Sequence, residues 1–320
     1  MHKIYKTHKG KIFNPEKISD DCWIDINSPT EDEIFNIKSK INIPEEFLAS
    51  IRDIDEVPKF EKEDNLNFIL IQTPVMHEEN GKDDEPEINF SIVPLGIIYT
   101  SNLILTISEG KNDVIEYLKL KLKNYTKNRI IHTDDIPQMI LKLILFTEKL
   151  YLRYSKIINQ KIRAAQSNLE QSPKNEEIIN LMNLEKSLVY FSTSLHSNNV
   201  VFEKISKRKF FTSNEENEEL VEDILDESKQ AIETVKIYGK IINNISTTFA
   251  SIISNNLNRT VKLLTSMTII LMIPTLVASV YGMNVALPFQ SSSYAFWITV
   301  SISIGMASLV ALILFRKNLF

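Results

Sequence analysis

The stretch LLTSMTIILMIPTLVASVYGMN, residues 263–284, decides how this chain of 320 residues is organised. It opens a run of 53 residues, ending at Phe315, that contains no charged side chain. One membrane-spanning helix requires about 20 apolar residues, so the run is long enough for two helices and a short turn. We therefore predict a transmembrane hairpin with a first span at about 263–281, an outer loop at 282–293 and a second span at about 294–315.

Basic residues flank this hairpin at both of its ends. Arg259 and Lys262 precede the first span, and Arg316 and Lys317 follow the second. Because cytoplasmic flanks of membrane spans carry an excess of Lys and Arg, we predict that both termini are cytoplasmic. The loop between the spans then faces the opposite side of a cell membrane.

The region before the hairpin is acidic. The whole chain carries 36 Lys and Arg and 41 Asp and Glu, but after residue 260 it has only three basic residues and no acidic one. The first 260 residues therefore have a net charge of −8, from 33 basic and 41 acidic groups. This balance argues against nucleic acid as a partner, because nucleic-acid binders need a basic surface, and it is compatible with cation binding.

Motifs of catalysis and nucleotide binding are missing from the sequence. It has no GxxxxGK[ST], HExxH or CxxC motif and no nucleophile elbow, and its five histidines show no ligand spacing. We therefore expect neither an enzyme nor a nucleotide partner. The single cysteine, Cys22, cannot form an internal disulfide, and its apolar segment favours a buried thiol in a reducing compartment.

The acidic region begins with a mixture of strands and helices. Thr30 and Glu33 form a capping-box pattern that opens a helix, and Pro44 is placed to open another. The charged segment 77–87 is typical of a hairpin loop. Strands are predicted for WIDIN (23–27), NFILIQ (67–72), INFSIV (88–93) and LILTIS (103–108).

The chain follows a helical pattern after about Asp135. We predict helices at about 137–171 and 174–210, separated by Ser172-Pro173, and a third from near Asn217 to Tyr281. The fold class is therefore an α+β soluble domain with long helices, joined to a two-helix membrane hairpin. The predicted divisions are 1–135 for the α/β part, 136–258 for the long-helix bundle and stalk, and 259–320 for the hairpin.

One face of the first predicted span is polar. Its residues recur at intervals of three or four, which keeps them on one side of a helix. Inside lipid such a face must contact protein or water, so it serves either helix packing or the lining of an aqueous pore. Two spans cannot enclose a water-filled path, so a pore requires several copies arranged in a ring. The stripe consists of Asn258, Val261, Thr265, Thr268, Met272, Thr275 and Ser279, and Leu264 lies beside it.

The sequence Tyr-Gly-Met-Asn at 281–284, followed by a short loop and a last span that ends in basic residues, resembles the CorA magnesium transporter family. The resemblance includes the whole of the first span with its Met-x-Pro before Thr275. It extends upstream to 186–205, which is similar to the family's long-helix segment, and to 51–71, which is similar to its N-terminal domain. It therefore covers nearly the whole chain.

The resemblance implies a homopentamer in the membrane lipid, with a funnel-shaped cytoplasmic domain and Mg²⁺ as the transported ion. It implies that Gly282, Met283 and Asn284 form the outer mouth and that Asn258 forms a ring at the inner end. Leu264 and Met272 match apolar constrictions, Thr275 matches a polar ring, and Val261 stands where some members have Met. One departure is the segment 285–293, which lacks the acidic residue found in the best-known branch of the family.

An acidic cluster opens the third helix. The usual interpretation is a solvated face, favoured by the helix dipole. The resemblance implies a further role, because Asp223 matches an aspartate that binds regulatory Mg²⁺ between subunits, with Asp53 or Asp55 of a neighbour as its partner. Glu222 and Asp226 are the adjacent candidate ligands. The cluster comprises Glu215, Glu216, Glu218, Glu219, Glu222, Asp223, Asp226 and Glu227.

The sequence leads to one main function and two alternatives. The main prediction is a Mg²⁺ channel of the inner or plasma membrane that passes hydrated ions, is driven by membrane potential and is gated by intracellular Mg²⁺. A potential of 100 mV contributes roughly 4.6 kcal/mol for a divalent ion. The alternatives are a transporter or exporter of Zn²⁺ or another divalent cation, and a non-transporting, membrane-anchored helical scaffold.

Overall fold

The protein is described by a computed structural model whose residues group into two compact units, Met1–Ile245 and Ser246–Phe320. We call these unit 1 and unit 2. The three-part division predicted from the sequence, with boundaries after residues 135 and 258, stays a prediction. The structure describes residues 2–8, 11–15, 17–80, 86–123, 132–171, 175–285, 287–289 and 292–317.

Unit 1 contains a mixed sheet in which the described residues form seven strands. Their order across the sheet is second, first, third, seventh, sixth, fifth and fourth in chain order. Neighbours are antiparallel except for the third and seventh strands, which pair in parallel with Ile24 beside Leu105. The strands are β1 (His2–His8), β2 (Lys11–Phe13), β3 (Cys22–Asn27), β4 (Lys59–Glu63), β5 (Leu66–Asn80), β6 (Pro86–Tyr99) and β7 (Leu103–Ser108).

The four predicted strands are confirmed, but the predicted loop at 77–87 is too long. β5 continues through Asn80 and β6 starts at Pro86, so strand pairing occupies most of that segment, and residues 81–85 lie outside the described part. The sequence analysis did not predict β1, β2 or β4. The sequence of β4, KFEKE, is charged because the strand lies at the edge of the sheet and is largely solvated, so apolar alternation is absent.

The core of unit 1 lies against the central strands. Trp23 is fully buried, and its indole Nε1 donates to Thr106 Oγ1 at 2.9 Å. The rings of Phe47 and Phe68 stack with their centroids 4.4 Å apart, which joins a short helix to the sheet. Cys22 is buried and carries a free thiol, as the sequence predicts.

Three short helices accompany the sheet: α1 (Glu31–Ile41), α2 (Glu45–Arg52) and α3 (Asp113–Lys123). The capping box at α1 is confirmed, because Thr30 Oγ1 accepts from the Glu33 amide and Glu33 Oε2 accepts from the Thr30 amide. Pro44 precedes α2 as its N-cap, also as predicted. The sequence analysis did not predict α3.

Four long helices complete the chain: α4 (Ile136–Gln171), α5 (Asn175–Ser206), α6 (Glu215–Tyr281) and α7 (Ala295–Arg316). The predicted end of α5 at residue 210 is wrong by four residues. The chain turns there because the Phe211 amide donates to the Arg208 carbonyl at 2.9 Å, with Phe211 buried and the Arg208 guanidinium 3.8 Å from the Phe60 ring centroid. The predicted break at Ser172-Pro173 lies outside the described residues.

A buried polar layer joins the sheet of unit 1 to α4 and α5. The side-chain amide of Asn198 makes two hydrogen bonds to the backbone of Gln72. Its Oδ1 accepts from the Gln72 N–H at 2.9 Å, and its Nδ2 donates to the Gln72 carbonyl at 2.7 Å. Ser194 donates to Gln72 Oε1 at 2.6 Å, and the Tyr151 hydroxyl donates to the Gln72 carbonyl at 3.1 Å. These bonds satisfy the buried polar groups of a strand that faces two helices.

Candidate ion pathway

The hairpin of unit 2 uses one face of α6 for packing within the chain. Ser266 and Val277 are the buried side chains there, and Ile270 and Ile273 between them are partly covered. Their spacing of four, three and four residues places them on one face. On α7, Ser303 is buried and Thr299 is partly covered, which is the corresponding stripe of the second helix.

The predicted polar stripe lies on a different face of α6. All seven of its residues and the adjacent Leu264 are exposed, with Met272 at 63% and Val261 at 53% of their full accessible surface. The polar residues therefore do not hold the hairpin together. Because polar side chains are unfavourable against lipid, this face favours contact with protein or water.

The threonines of the stripe present oxygen acceptors outward. The Thr268 hydroxyl donates to the Leu264 carbonyl at 2.8 Å, and the Thr275 hydroxyl donates to the Leu271 carbonyl at 3.2 Å. With the proton committed to the helix backbone, the remaining lone pairs of each hydroxyl oxygen can only accept. Such a surface suits a donor such as water bound to a cation.

Pro274 lies in α6, which the structure assigns as helix from Glu215 to Tyr281. Proline has no amide hydrogen, so the carbonyl of Ile270, four residues earlier, loses its usual helical partner. The proline ring also crowds that carbonyl, so we predict a bend of the helix at this position.

The Gly-Met-Asn sequence forms the turn that ends α6. The Gly282 amide donates to the Ala278 carbonyl at 2.9 Å, and the Met283 amide donates to the Val280 carbonyl at 3.2 Å. Gly282 closes this turn without adopting a positive φ. A Cβ at Gly282 would lie 3.3 Å from the Ala278 oxygen, a close contact that glycine avoids, and the turn leaves Met283 and Asn284 exposed.

The acidic residues proposed as a regulatory site lie on the surface of unit 1. Glu222, Asp223 and Asp226 are exposed on α6, and Asp226 Oδ1 lies 3.6 Å from Lys229 Nζ. Among the described residues of one chain, no three acidic, histidine or cysteine side chains are grouped so that they could hold a metal ion. The predicted regulatory site, with ligands from two copies of the chain, stays a prediction.

Asp53 and Asp55 follow α2 in unit 1. Asp53 is the C-cap of that helix, and its Oδ1 accepts from the Asp55 amide at 3.0 Å. Both side chains are exposed, so their carboxylate oxygens are accessible to an ion or to a neighbouring subunit. Their role as partners of Asp223 stays a prediction.

The two apolar helices define the class of this protein. Over their apolar windows, α6 and α7 are only 11% and 6% buried within the chain, which is unlike the core helices of a soluble protein. With a polar stripe on one of them, they define an integral membrane protein with a large mixed α/β soluble part. Residues 19–317 match the family described as "CorA-like Mg2+ transporter protein", and the chain belongs to this family of divalent cation transporters.

Curated relatives agree with this assignment. The chain is 24% identical over 297 residues to the cobalt/magnesium transport protein CorA of Methanocaldococcus jannaschii, covering 92% of this chain and 90% of the relative. It is 21% identical over 272 residues to the protein of the same name from Thermotoga maritima, covering 85% of this chain and 75% of the relative.

Solved structures show the same fold. The complete structure of the CorA magnesium transporter from Methanocaldococcus jannaschii matches with a TM-score of 0.82 at 21% identity, covering 100% of this chain and 99% of that one. The full-length CmaX protein matches with a TM-score of 0.70 at 13% identity, covering 99% of this chain and 96% of that one.

Proposed function

We propose that this chain forms a Mg²⁺ channel in which the polar stripes of several α6 helices surround one central path. The observation that carries the proposal is that the polar face of α6 takes no part in the packing of the hairpin, which uses another face of the helix. The family resemblance supports five copies, with Asn284 at the outer mouth and Asn258 at the inner end. The curated relatives support magnesium, because their names include magnesium transport.

The chemistry of the stripe suits an ion that keeps its water. Mg²⁺ dehydrates reluctantly and prefers octahedral oxygen geometry, so a path without carboxylates cannot easily replace its first shell. The hydroxyl oxygens of Thr268 and Thr275 and the amide oxygen of Asn284 can instead accept hydrogen bonds from the coordinated waters. Apolar rings at Leu264 and Met272 can close the path by excluding water. Membrane potential then drives the ion toward the cytoplasm.

The proposed orientation places both termini in the cytoplasm. The basic pairs Arg259 with Lys262, and Arg316 with Lys317, would lie at the anionic inner surface of the membrane. Unit 1 would then be cytoplasmic, where its acidic surface meets the transported cation. A cysteine-accessibility or protease-protection assay on sealed, oriented vesicles checks this placement.

Intracellular Mg²⁺ is proposed to regulate the channel through unit 1. Carboxylates of Asp223, Glu222 and Asp226 on one subunit would face Asp53 or Asp55 on its neighbour. Like charges across such an interface repel, and a bound Mg²⁺ would bridge them and hold the closed state. Loss of the ion at low cytoplasmic concentration would release the gate and admit more Mg²⁺.

Flux into proteoliposomes tests the proposed function. Purified protein is reconstituted in vesicles that contain a Mg²⁺-sensitive dye, and uptake is followed with an inside-negative potential. Asn284→Ala is compared with Ser293→Ala, which removes a polar group from an exposed position of the same outer loop. We expect rapid uptake for the unmodified protein and for Ser293→Ala, and at least about tenfold slower uptake for Asn284→Ala.

The same assay separates the alternatives. Faster uptake of Zn²⁺ than of Mg²⁺ would indicate that Zn²⁺ is the transported ion. Outward flux against the same potential would indicate an exporter. Inserted protein that passes no cation under any gradient would indicate the scaffold function. Equal Mg²⁺ uptake by Asn284→Ala and Ser293→Ala would show that Asn284 does not contribute to the ion pathway.

A further inference from the structure

A carboxylic acid lies buried inside unit 1 where α4, α5 and α6 come together. The side chain of Glu148 on α4 has no solvent exposure, and neither of its carboxyl oxygens has a hydrogen-bond partner of good geometry among the described residues. An unpaired charge in such a place is strongly unfavourable. The acid is therefore expected to keep its proton in this packing arrangement.

The groups near Glu148 lie on α4 and α6, and a hydrogen bond from one of them reaches α5. Ser228 on α6 lies beside the carboxyl group, but its hydroxyl donates to Asn199 Oδ1 on α5 at 3.3 Å, so that proton is already used. Tyr151, one turn along α4, donates its hydroxyl to the Gln72 carbonyl of β5 and is also committed. The proton needed for a complete chain of hydrogen bonds must therefore come from Glu148 itself.

The charged group that faces Glu148 is Glu227 on α6. Lys149 Nζ lies 3.9 Å from Glu227 Oε1, so the nearby positive charge is directed to Glu227 rather than to Glu148. Tyr151 is the other titratable group near the carboxyl, and α5 contributes the uncharged Ser194 and Asn199. Burial raises the pKa of Glu148 to about 8, a Ser228 hydroxyl that turned from Asn199 toward the carboxylate would oppose this rise, and Glu227 adds to it.

The two protonation states have different consequences for packing. Neutral Glu148 can donate to Ser228 Oγ, which extends the hydrogen bond from Ser228 to Asn199 into a chain across α4, α6 and α5. Ionised Glu148 can only accept. Ser228 could then satisfy it only by abandoning Asn199, and Glu227 on the same helix would repel it.

We propose that Glu148 is a proton-operated latch that holds α6 against α4 and α5, and that its ionisation loosens α6 in unit 1. α6 is the helix that carries the polar stripe further along its length. Cytoplasmic alkalinisation then eases the movement of α6 and raises the rate of ion passage. The effect on flux rests on the proposed function, whereas the loosening of α6 within unit 1 does not.

Amide hydrogen exchange on the full-length protein in lipid nanodiscs tests the latch directly. The loosened state ionises Glu148 at about its ordinary pKa of 4.5, and the packed state at about 8. Between these two values the loosened state holds fewer protons, so opening becomes more favourable as pH rises. After correction for intrinsic exchange, we expect protection of α6 around Ser228 to fall about tenfold per pH unit below about pH 8 and to level off above it.

The matched variants are Glu148→Gln and Glu170→Gln, the latter on the exposed end of α4. Glu148→Gln keeps a donor and cannot ionise, so its protection should not change with pH, whereas Glu170→Gln should follow the unmodified protein. The proposal is overturned if the protection of α6 in the unmodified protein does not change with pH. It is also overturned if the protection of α6 in Glu148→Gln changes with pH as it does in the unmodified protein.

Flux measured at several luminal pH values completes the test. With unit 1 facing the lumen, uptake by the unmodified protein should rise from about pH 6 to about pH 8, and uptake by Glu148→Gln should stay at the low-pH rate. If no protein transports, the proposed function fails while the exchange result still decides the latch. If transport occurs and both proteins respond to pH equally, the link between latch and gate is overturned.

Discussion

The hydroxyl groups of α6 illustrate how one residue can serve both the helix and its surface. The Thr275 hydroxyl donates to the Leu271 carbonyl at 3.2 Å, and its oxygen can still accept a hydrogen bond from outside the helix. Thr299 on α7 makes the same backbone bond, to Ala295 at 2.9 Å, but lies on the partly covered face of the hairpin. The two residues are therefore a matched pair that differs mainly in surroundings.

Replacing Thr275 by Val should slow Mg²⁺ uptake. Valine keeps the shape and removes the acceptor, and one lost hydrogen bond of about 1 kcal/mol corresponds to about fivefold in rate if it is lost at the limiting barrier. Thr299→Val removes the same group away from the stripe and should leave uptake within about twofold. The check is dye-monitored uptake at equal reconstituted protein, and equal slowing by both variants would count against a pore-lining Thr275.

The buried acid of unit 1 makes stability depend on pH with a defined sign. Glu148 has a folded-state pKa of about 8 against an ordinary value of 4.5, so the unfolded state releases its proton first as pH rises. The free energy of unfolding should therefore fall by about 1.4 kcal/mol per pH unit between these values and then stay constant above about pH 8.

Denaturant unfolding of the detergent-solubilised protein at a series of pH values measures this slope. Glu148→Leu removes the ionisation and fills the site with apolar volume, so it should flatten the slope and be more stable than the unmodified chain at pH 8. A variant that retains the full slope shows that other groups cause it.

Glycines at two positions contrast in what surrounds them. A Cβ on Gly96 in β6 would lie 2.3 Å from Ile51 Cδ1, and that isoleucine is buried against the sheet. At Gly239 in α6 a Cβ would meet no atom within 4 Å. Gly96→Ala should therefore destabilise unit 1 by about 1–3 kcal/mol, whereas Gly239→Ala should stabilise the helix by about 0.5–1 kcal/mol. Thermal unfolding of the two variants side by side checks both signs.

At the scale of whole elements, α6 separates a face for packing from a face for a partner. The packing face runs from Ser266 to Val277, and the stripe runs from Asn258 to Ser279. Exposure in one chain does not distinguish the stripe from a lipid-facing side, because Leu271 is 70% exposed and is apolar. The distinction comes from polarity, since only the stripe would be unfavourable in lipid.

Cysteine substitutions along α6 test this separation. A membrane-impermeant, water-soluble thiol reagent should modify Thr268→Cys and Thr275→Cys in reconstituted protein, because the stripe would face water in the proposed channel. Leu271→Cys should react at least about tenfold more slowly, because a thiol in lipid forms little thiolate. The native Cys22 is fully buried and serves as an internal blank. Equal labelling of all three positions would contradict a water-lined stripe.

Sequence patterns predicted the regular elements better than the contacts between them. The hairpin was visible because 53 uncharged residues exceed the length of one span, and α1 was marked by the reciprocal cap of Thr30 and Glu33. β4 was not predicted because a solvated edge strand needs no alternation of apolar and polar residues. The face of α6 that packs in the hairpin could not be predicted from composition. Ser266 and Thr265 are adjacent hydroxyl residues of similar polarity, but only Ser266 is buried.

The candidate sites show the same limit. Gly282, Met283 and Asn284 were proposed as the outer mouth from the family resemblance, and the polar stripe was found from its spacing. Glu148 was missed, although it stands on a face of α4 that is otherwise apolar, with Ile144 before it and Leu152 after it, both buried. One acid in an apolar stripe is a detectable signal, but only the packing of the helices shows that its carboxyl oxygens lack a hydrogen-bond partner among the described residues.

At the scale of the whole molecule, the regulatory role proposed for the acidic surface of unit 1 requires contact between copies of the chain. One chain offers Asp223 and Asp226 on α6, and Asp53 and Asp55 after α2, all exposed. Shared between neighbours, these carboxylates would repel in the absence of metal and attract Mg²⁺ when it is present. The assembly would then be tightest when the cytoplasmic concentration of Mg²⁺ is high.

Limited proteolysis of the reconstituted protein therefore should slow when Mg²⁺ is added, because binding stabilises the closed assembly by mass action. Asp223→Lys places a cation among the ligands and should abolish most of this protection. Glu233→Lys on the same helix is the matched control, because Glu233 is exposed, lies outside the acidic cluster and pairs only weakly with Lys236 at 3.4 Å. Full protection in both variants would leave Asp223 without a role in metal binding, whereas loss in both would indicate a general effect of charge on the surface of α6.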